Sequence, residues 1–152
     1  MYEFVDRPVS ALDQGGQFLI WTMRRWVGAL GNGRCLCGTV VPAFHQWNML
    51  AGLPHFHLMM ALLNRDATEK FRFGPVCYDR VTEHEALILH MIRDARDAPA
   101  ERMRETAALL ICADSVPPLL IALSAFGQAL AEAGLWPEPP VFDSPCASFR
   151  HE

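Results

Sequence analysis

Histidine and cysteine are the residues of this sequence whose chemistry suits a metal or haem site. The 152 residues include six histidines, five cysteines and seven methionines, and imidazole and thiolate are the usual soft ligands of metals. His55 and His57 are two residues apart, about 200° around a helix, so both cannot face one ion. His84 with Glu85 lacks the second histidine of a zinc-protease motif, because Ile88 stands in its place. We therefore predict neither a metal site nor a cofactor.

The cysteines match no redox or zinc motif. One residue separates Cys35 from Cys37, whereas those motifs require two, and no second pair complements them. We interpret these two as loop thiols. An odd number of cysteines argues against a secreted disulfide framework, and residues 1–10 contain no basic and apolar leader, so we predict a cytoplasmic protein. The single lysine, Lys70, among many arginines is typical of a bacterium with a GC-rich genome.

No pattern in the chain indicates catalysis. The Gly31-Asn32-Gly33 sequence ends a predicted helix instead of opening one, so it lacks the geometry that holds a phosphate. The acidic residues Glu83, Glu85 and Asp94 lie where a capped, soluble helix places charge in any case. We therefore name no catalytic residue and favour a protein that is not an enzyme, with a helical enzyme of unassigned class as a third alternative.

Charge and hydropathy narrow the classes of partner. The net charge of -4 gives no electrostatic reason to approach a nucleic acid, so we predict no nucleic-acid partner. The hydrophobic fraction of 51% and mean hydropathy of +0.12 indicate more apolar surface than a small monomer easily buries. Two uncharged stretches, residues 35–64 and 115–131, are interrupted by proline or too short for a bilayer, so we predict no membrane span.

Helical periodicity predicts an all-α fold, a single-domain bundle of about six helices over residues 1–152. Capping and proline signals place these helices at residues 10–31, 42–51, 54–65, 82–96, 99–114 and 117–134. The signals are capping boxes that open at Ser10 and at Thr82, the latter closed by Glu85, and Pro42 as the first residue of the second helix. Residues 1–9 form an N-terminal arm, and residues 66–81 form a short irregular excursion with a hairpin-like pattern. The extended proline-rich tail, residues 135–152, is predicted to pack on the domain through Trp136, Val141, Phe142 and Phe149.

The first helix carries two apolar arcs. A projection at about 100° per residue places one arc against the core; its members are Leu19, Ile20, Met23, Trp26, Val27 and Leu30. The opposite arc contains Phe18, Trp21, Thr22 and Arg25, and a solvent face rarely holds two large aromatic residues beside an arginine. These four residues are our interface candidates. Alternatively, the proline-rich tail or another helix of the same chain covers this arc.

The same projection predicts a ligand pocket between the third and fourth helices. It places His55 and His84 on core-facing arcs, beside Met59 and Met91 respectively, whereas His57 falls on a polar arc. Methionines adapt to apolar ligands of irregular shape, and a few polar groups can orient such a ligand. In the last helix, small residues flank a clean stripe that predicts a central position; the stripe is Leu119, Leu123, Phe126 and Leu130.

These patterns predict a helical module that acts through protein contacts, either with another protein or with itself as a homodimer. The interface candidates and the apolar excess are the basis of that prediction. The alternative is a bundle that binds a small apolar ligand in the pocket with methionine and histidine walls.

Overall fold

The backbone is helical over most of its length. The computed structural model describes residues 3–140, and this part of the chain contains six α-helices: α1 Gln14–Gly31, α2 Leu36–Gln46, α3 Leu53–Arg65, α4 Glu83–Asp97, α5 Ala100–Leu110 and α6 Val116–Glu132. Between residues 3 and 140 there is no β-strand, and the hairpin-like pattern of residues 66–81 yields only two isolated bridges, from Arg80 to Pro8 and from Ala67 to Ile111. The predicted all-α bundle is confirmed.

Helix α6 is the central helix, as its apolar stripe predicts. It packs against α3, α4 and α5, and the side chains of the stripe from Leu119 to Leu130 are fully buried. Gly127 and Ala122 are also buried and allow neighbouring helices to approach closely. The segment Ala113–Glu132 is long and apolar enough to cross a membrane by length and composition alone, a criterion that the core helix of a globular bundle also meets.

Four phenylalanine rings join α1, α2, α3 and α6. The ring centroid of Phe44 lies 5.2 Å from that of Phe18 and 5.1 Å from that of Phe56, and the Phe56 centroid lies 5.4 Å from that of Phe126. All four side chains are buried. Offset and edge-to-face contacts at these separations stabilise aromatic pairs beyond their buried area. The cluster therefore fixes α2 against the rest of the bundle.

Two helix starts differ from prediction. Helix α1 begins after Asp13, whose carboxylate accepts from Gly16 N at 2.8 Å, and not after Ser10. Helix α2 begins six residues before Pro42, which we had placed in its first turn, and Cys35 is its N-cap instead of a loop thiol. Cysteine is a weak capping signal, whereas proline in a first turn is common, so the pattern favoured the wrong start.

Helix α4 begins with the predicted capping box. Glu85 N donates to Thr82 Oγ1 at 3.3 Å, and Thr82 N donates to Glu85 Oε1 at 2.9 Å. The Glu85 side chain is nevertheless fully buried, so it also has a role that the predicted helix cap does not include. Its second role depends on a residue 61 positions away in the chain.

The partner of Glu85 is Arg24, a buried arginine of α1. Its Nε lies 2.8 Å from Glu85 Oε2, and its Nη2 donates to Glu85 Oε1 at 3.0 Å. The remaining donors of Arg24 reach the carbonyl oxygens of Tyr78 and Arg80 at 2.6 and 2.7 Å. Glu85 also accepts from Gly74 N at 3.1 Å. One ion pair thus fixes the irregular segment between α3 and α4 against two helices.

The chain after α6 forms a strap across the bundle. Leu135 is buried, and Trp136 packs on the core as predicted, with Arg93 and Arg96 guanidinium carbons 5.9 and 5.0 Å from its ring centroid. Arg93 also contacts Glu138, with an N to O distance of 3.1 Å. The predicted packing of the remainder of the tail, including Val141, Phe142 and Phe149, lies outside the described residues.

Candidate interaction surface

The structure divides the four interface candidates of α1 into two pairs. Phe18 and Thr22 are buried, because α2 covers that side of the helix and Phe44 contacts the Phe18 ring. Trp21 is 38% exposed, and Arg25 is also exposed. The four residues therefore do not form one exposed face, and only Trp21 and Arg25 are available to a partner.

A groove separates the first half of α1 from the last turn of α2. Its volume is about 410 Å³, and its lining residues are Gln14, Gln17, Phe18, Trp21, Ala43, Gln46 and Trp47. We call it the α1–α2 groove. Trp21 of α1 and Trp47, the C-cap residue of α2, each contribute an indole, and both side chains are more than a third exposed. The sequence pattern did not single out Trp47, which follows the last residue of α2 as its C-cap residue.

Arg25 connects this groove to a second, smaller cleft. Its guanidinium carbon lies 5.2 Å from the Trp21 ring centroid, a distance typical of cation–π contacts. Arg25 also lines a cleft of about 150 Å³ with Arg34 and Val76. Val76 is 46% exposed. A continuous exposed surface therefore runs from Trp47 through Trp21 and Arg25 to Val76.

The segment that presents Val76 is held by hydrogen bonds from two buried side chains. Arg24 binds the carbonyl of Tyr78, and Glu85 binds the amide of Gly74, on either side of Val76. The exposed side chain therefore projects from a fixed backbone. Binding through such a surface requires little ordering of the chain, and this lowers the entropic cost of association.

The four pocket candidates have other contacts. Met59 and Met91 are fully buried, and their helices α3 and α4 each pack on α6. The His84 ring stacks on Phe71 at 4.9 Å between centroids, and its Nδ1 accepts from Arg72 N at 2.7 Å. None of these positions lines the α1–α2 groove or the cleft beside Val76. The ligand pocket stays a prediction that this packing does not favour.

The remaining predicted pocket residue, His55, is half-buried in the first turn of α3. Its neighbour His57 departs from the predicted polar arc, because it is also half-buried and its Nδ1 accepts from Trp26 Nε1 at 2.9 Å. Burial lowers the pKa of His57. A neutral ring is the form that can accept this indole hydrogen bond. Within residues 3–140 no three His, Cys, Asp or Glu side chains are placed to hold a metal ion.

A polar cluster joins the end of α3 to the turn before α6. Asp66 Oδ2 accepts from Ser115 Oγ at 2.6 Å, and the Arg65 guanidinium donates to both carboxylate oxygens at 2.9 and 3.0 Å. These contacts with Arg65 and then Ser115 lower the pKa of Asp66 from 3.8 to about 2. The carboxylate of Asp66 therefore stabilises the folded state at pH values above 3.8.

This stabilisation should disappear in acid. Because the pKa of Asp66 is lower in the folded state, its contribution is complete above the unfolded value and is lost as the pH falls towards 2. We expect the difference in unfolding free energy between wild type and Asp66→Asn to shrink from about pH 5 to about pH 2. Urea denaturation across this range measures the difference, and Asp114→Asn controls for the loss of one charge. A difference that stays constant would contradict the assignment.

A scan against protein-family models found no match to this chain. Searches against curated proteins and solved structures also found no match.

Proposed function

We propose that this chain is a helical module that acts through protein contacts, and that Trp21, Arg25, Trp47 and Val76 form its interaction surface. The observation that carries the proposal is the pair of exposed indoles in the α1–α2 groove. Tryptophan and arginine are enriched among the residues that dominate interface energies. Trp21 and Arg25 supply one residue of each type, and they stack on each other.

The arrangement also matches the usual anatomy of an interface. An apolar centre, Trp21 and Trp47, is bordered by the amides of Gln14, Gln17 and Gln46, and such polar groups at the rim supply hydrogen bonds and specificity. A partner that inserts an apolar side chain between the two indoles would remove both from water. Burial of apolar surface is the main favourable contribution to protein association.

A homodimer is one form of this interaction. It requires the same surface on both copies, related by a twofold axis. The excess of apolar residues over what a small monomer buries supports a covered surface in either form. Truncation of Trp21 weakens a homodimer and a complex with another protein alike, so one set of variants tests both.

We expect Trp21→Ala and Trp47→Ala each to weaken association at least about tenfold, because truncation of a residue that dominates an interface costs about 2 kcal/mol or more. Sedimentation velocity over a concentration series measures self-association, and titration against a purified partner measures the affinity for another protein. Leu109→Ala is the matched control, because Leu109 lies on α5 and is 79% exposed. The proposal would be contradicted if the wild-type protein stays monomeric and the Trp21→Ala variant binds its partner as tightly as the wild type does.

A further inference from the structure

Acidic residues are absent from the part of the sequence that forms most of the interaction surface. Residues 14–65, which include α1, α2 and α3, contain four arginines and no aspartate or glutamate. All 17 acidic residues lie elsewhere in the chain. The net charge of -4 therefore conceals a cationic region, and such a region attracts partners of the opposite charge.

The structure brings two of these arginines to the cleft beside Val76. Arg25 and Arg34 both line this cleft and are exposed. Among the described residues, neither has a carboxylate within 4.0 Å, and no acidic side chain lines the cleft. Its volume of about 150 Å³ is that of about five water molecules. The cleft therefore accepts one side-chain group.

Arg24 lines the same cleft, but its charge is already compensated. Its Nε and Nη2 lie 2.8 and 3.0 Å from the Glu85 carboxylate, and its other contacts are two backbone carbonyl oxygens. The buried Glu85 carboxylate is in turn occupied by Arg24 and two backbone amides. It therefore leaves the charges of Arg25 and Arg34 without compensation.

Helix α1 connects the cleft to the α1–α2 groove along one row of residues. The members of the row are three or four positions apart and so share one face of the helix; they are Trp21, Arg25, Gly28 and Asn32. Trp21 lines the groove, and the other three line the cleft. Nothing lies within 4 Å of a Cβ atom built on Gly28, so the row is open to a partner there. The rise from Trp21 to Gly28 is about 10 Å, which three residues of an extended peptide span.

A second copy of this chain does not suit the surface. A homodimer with a twofold axis joins the same surface on both copies. Arg25 and Arg34 of one copy would then lie close to those of the other, and no acidic side chain of the described residues lines the groove or the cleft to separate them. Like charges brought together across an interface oppose association.

We infer that the partner is another protein, which binds through an acidic segment. An apolar side chain of this segment lies between Trp21 and Trp47. A carboxylate of Asp or Glu, about three residues away in the segment, binds Arg25 and Arg34. This inference rests on the proposed function, because it states the chemistry of the partner of the same surface. Guanidinium groups bind carboxylates through charge-assisted hydrogen bonds, and the stacking of Arg25 on Trp21 fixes one of them.

Selection from a random peptide library tests the inference with the full chain. Phage that display random peptides of twelve residues are selected on the immobilised wild type and on an Arg25→Gln, Arg34→Gln variant. We expect the wild type to enrich peptides that carry Asp or Glu about three positions from an aromatic or aliphatic residue. The variant should retain the apolar preference and lose the acidic one. Enriched peptides without an acidic position would overturn the inference.

The affinity of a selected peptide gives the second test. By fluorescence anisotropy at low ionic strength, we expect the double variant to bind the peptide at least about tenfold more weakly and with less dependence on salt. Replacement of the peptide's acidic residue by its amide should give the same loss, and the two changes together should add little to it. Arg104→Gln is the matched control, because Arg104 is exposed on α5. Fully additive losses would show that the carboxylate binds elsewhere.

Two other occupants are distinguished by the same proteins. An oligothymidylate of twelve nucleotides that displaces the peptide and binds more tightly would replace the inference with a nucleic-acid partner. A concentration-dependent dimer that the double variant abolishes in sedimentation velocity would replace it with a second copy. We expect neither result.

The proposed function and this inference fail separately. If Trp21→Ala abolishes peptide binding but the selected peptides carry no acidic position, the proposed function stands and the inference is wrong. If acidic peptides require Arg25 and Arg34 but bind equally well to Trp21→Ala, the cleft binds a carboxylate and the proposed interaction surface is wrong. A wild-type protein that enriches no peptide would contradict both.

Discussion

We expect Glu85→Ala to lower the free energy of unfolding by about 3–5 kcal/mol, the usual cost of leaving one partner of a buried ion pair alone. Arg24 would remain buried with its charge uncompensated, and Gly74 N would lose its acceptor. Thr82 N would lose its capping bond as well. Few single substitutions outside the apolar core remove so many buried contacts at once.

Urea denaturation followed by circular dichroism measures this loss. Glu83→Ala is the matched control, because Glu83 lies two residues away in the same helical turn and is exposed. We expect the control to change stability by less than about 0.5 kcal/mol, as is usual for exposed positions. A loss below about 1 kcal/mol for Glu85→Ala would show that the pair contributes no more than an exposed salt bridge.

The second large effect is expected at Gly15, in the first turn of α1. A Cβ atom at this position would lie 1.9 Å from the carbonyl oxygen of Leu135 and 2.6 Å from its carbon. Because the obstacle is backbone, it cannot move aside by a change of rotamer. We expect Gly15→Ala to destabilise the fold by about 2–3 kcal/mol, at the upper end of the range for overpacking, and to displace the strap.

The control for this substitution lies in the same helix. Nothing lies within 4 Å of a Cβ atom built on Gly28, so Gly28→Ala should stabilise the protein by about 0.5–1 kcal/mol through helix propensity alone. Thermal unfolding of both variants gives the comparison. If Gly15→Ala also stabilises the protein, the strap does not press against α1 as described.

Local signals were sufficient to predict several elements. The capping box of Thr82 and Glu85 correctly predicted the start of α4, because both residues act within a single turn. The apolar stripe of α6 correctly predicted a central helix, because only a buried helix can hide so much apolar surface. In each case the physical cause lies within a few residues of the signal.

The polar interior could not be predicted in this way. A helical projection assigns arginine and glutamate to solvent, and it is usually correct to do so. The burial of Arg24 depends on Glu85 and on two carbonyl oxygens more than 50 residues away, and a periodic pattern does not encode such distances. The exposed surface was predicted only in part for a similar reason, since α2 begins at Leu36 and covers Phe18.

The central position of α6 has a consequence for the order of folding. This helix packs against α3, α4 and α5 but follows all of them in the chain. During synthesis from the N-terminus, the apolar faces of the earlier helices therefore have no final partner until about the last residues of α6 have left the ribosome. Until then the nascent chain presents these faces to water and to chaperones. Folding of the bundle is thus postponed until α6 has emerged, when Leu119 and Phe126 first become available to complete the core.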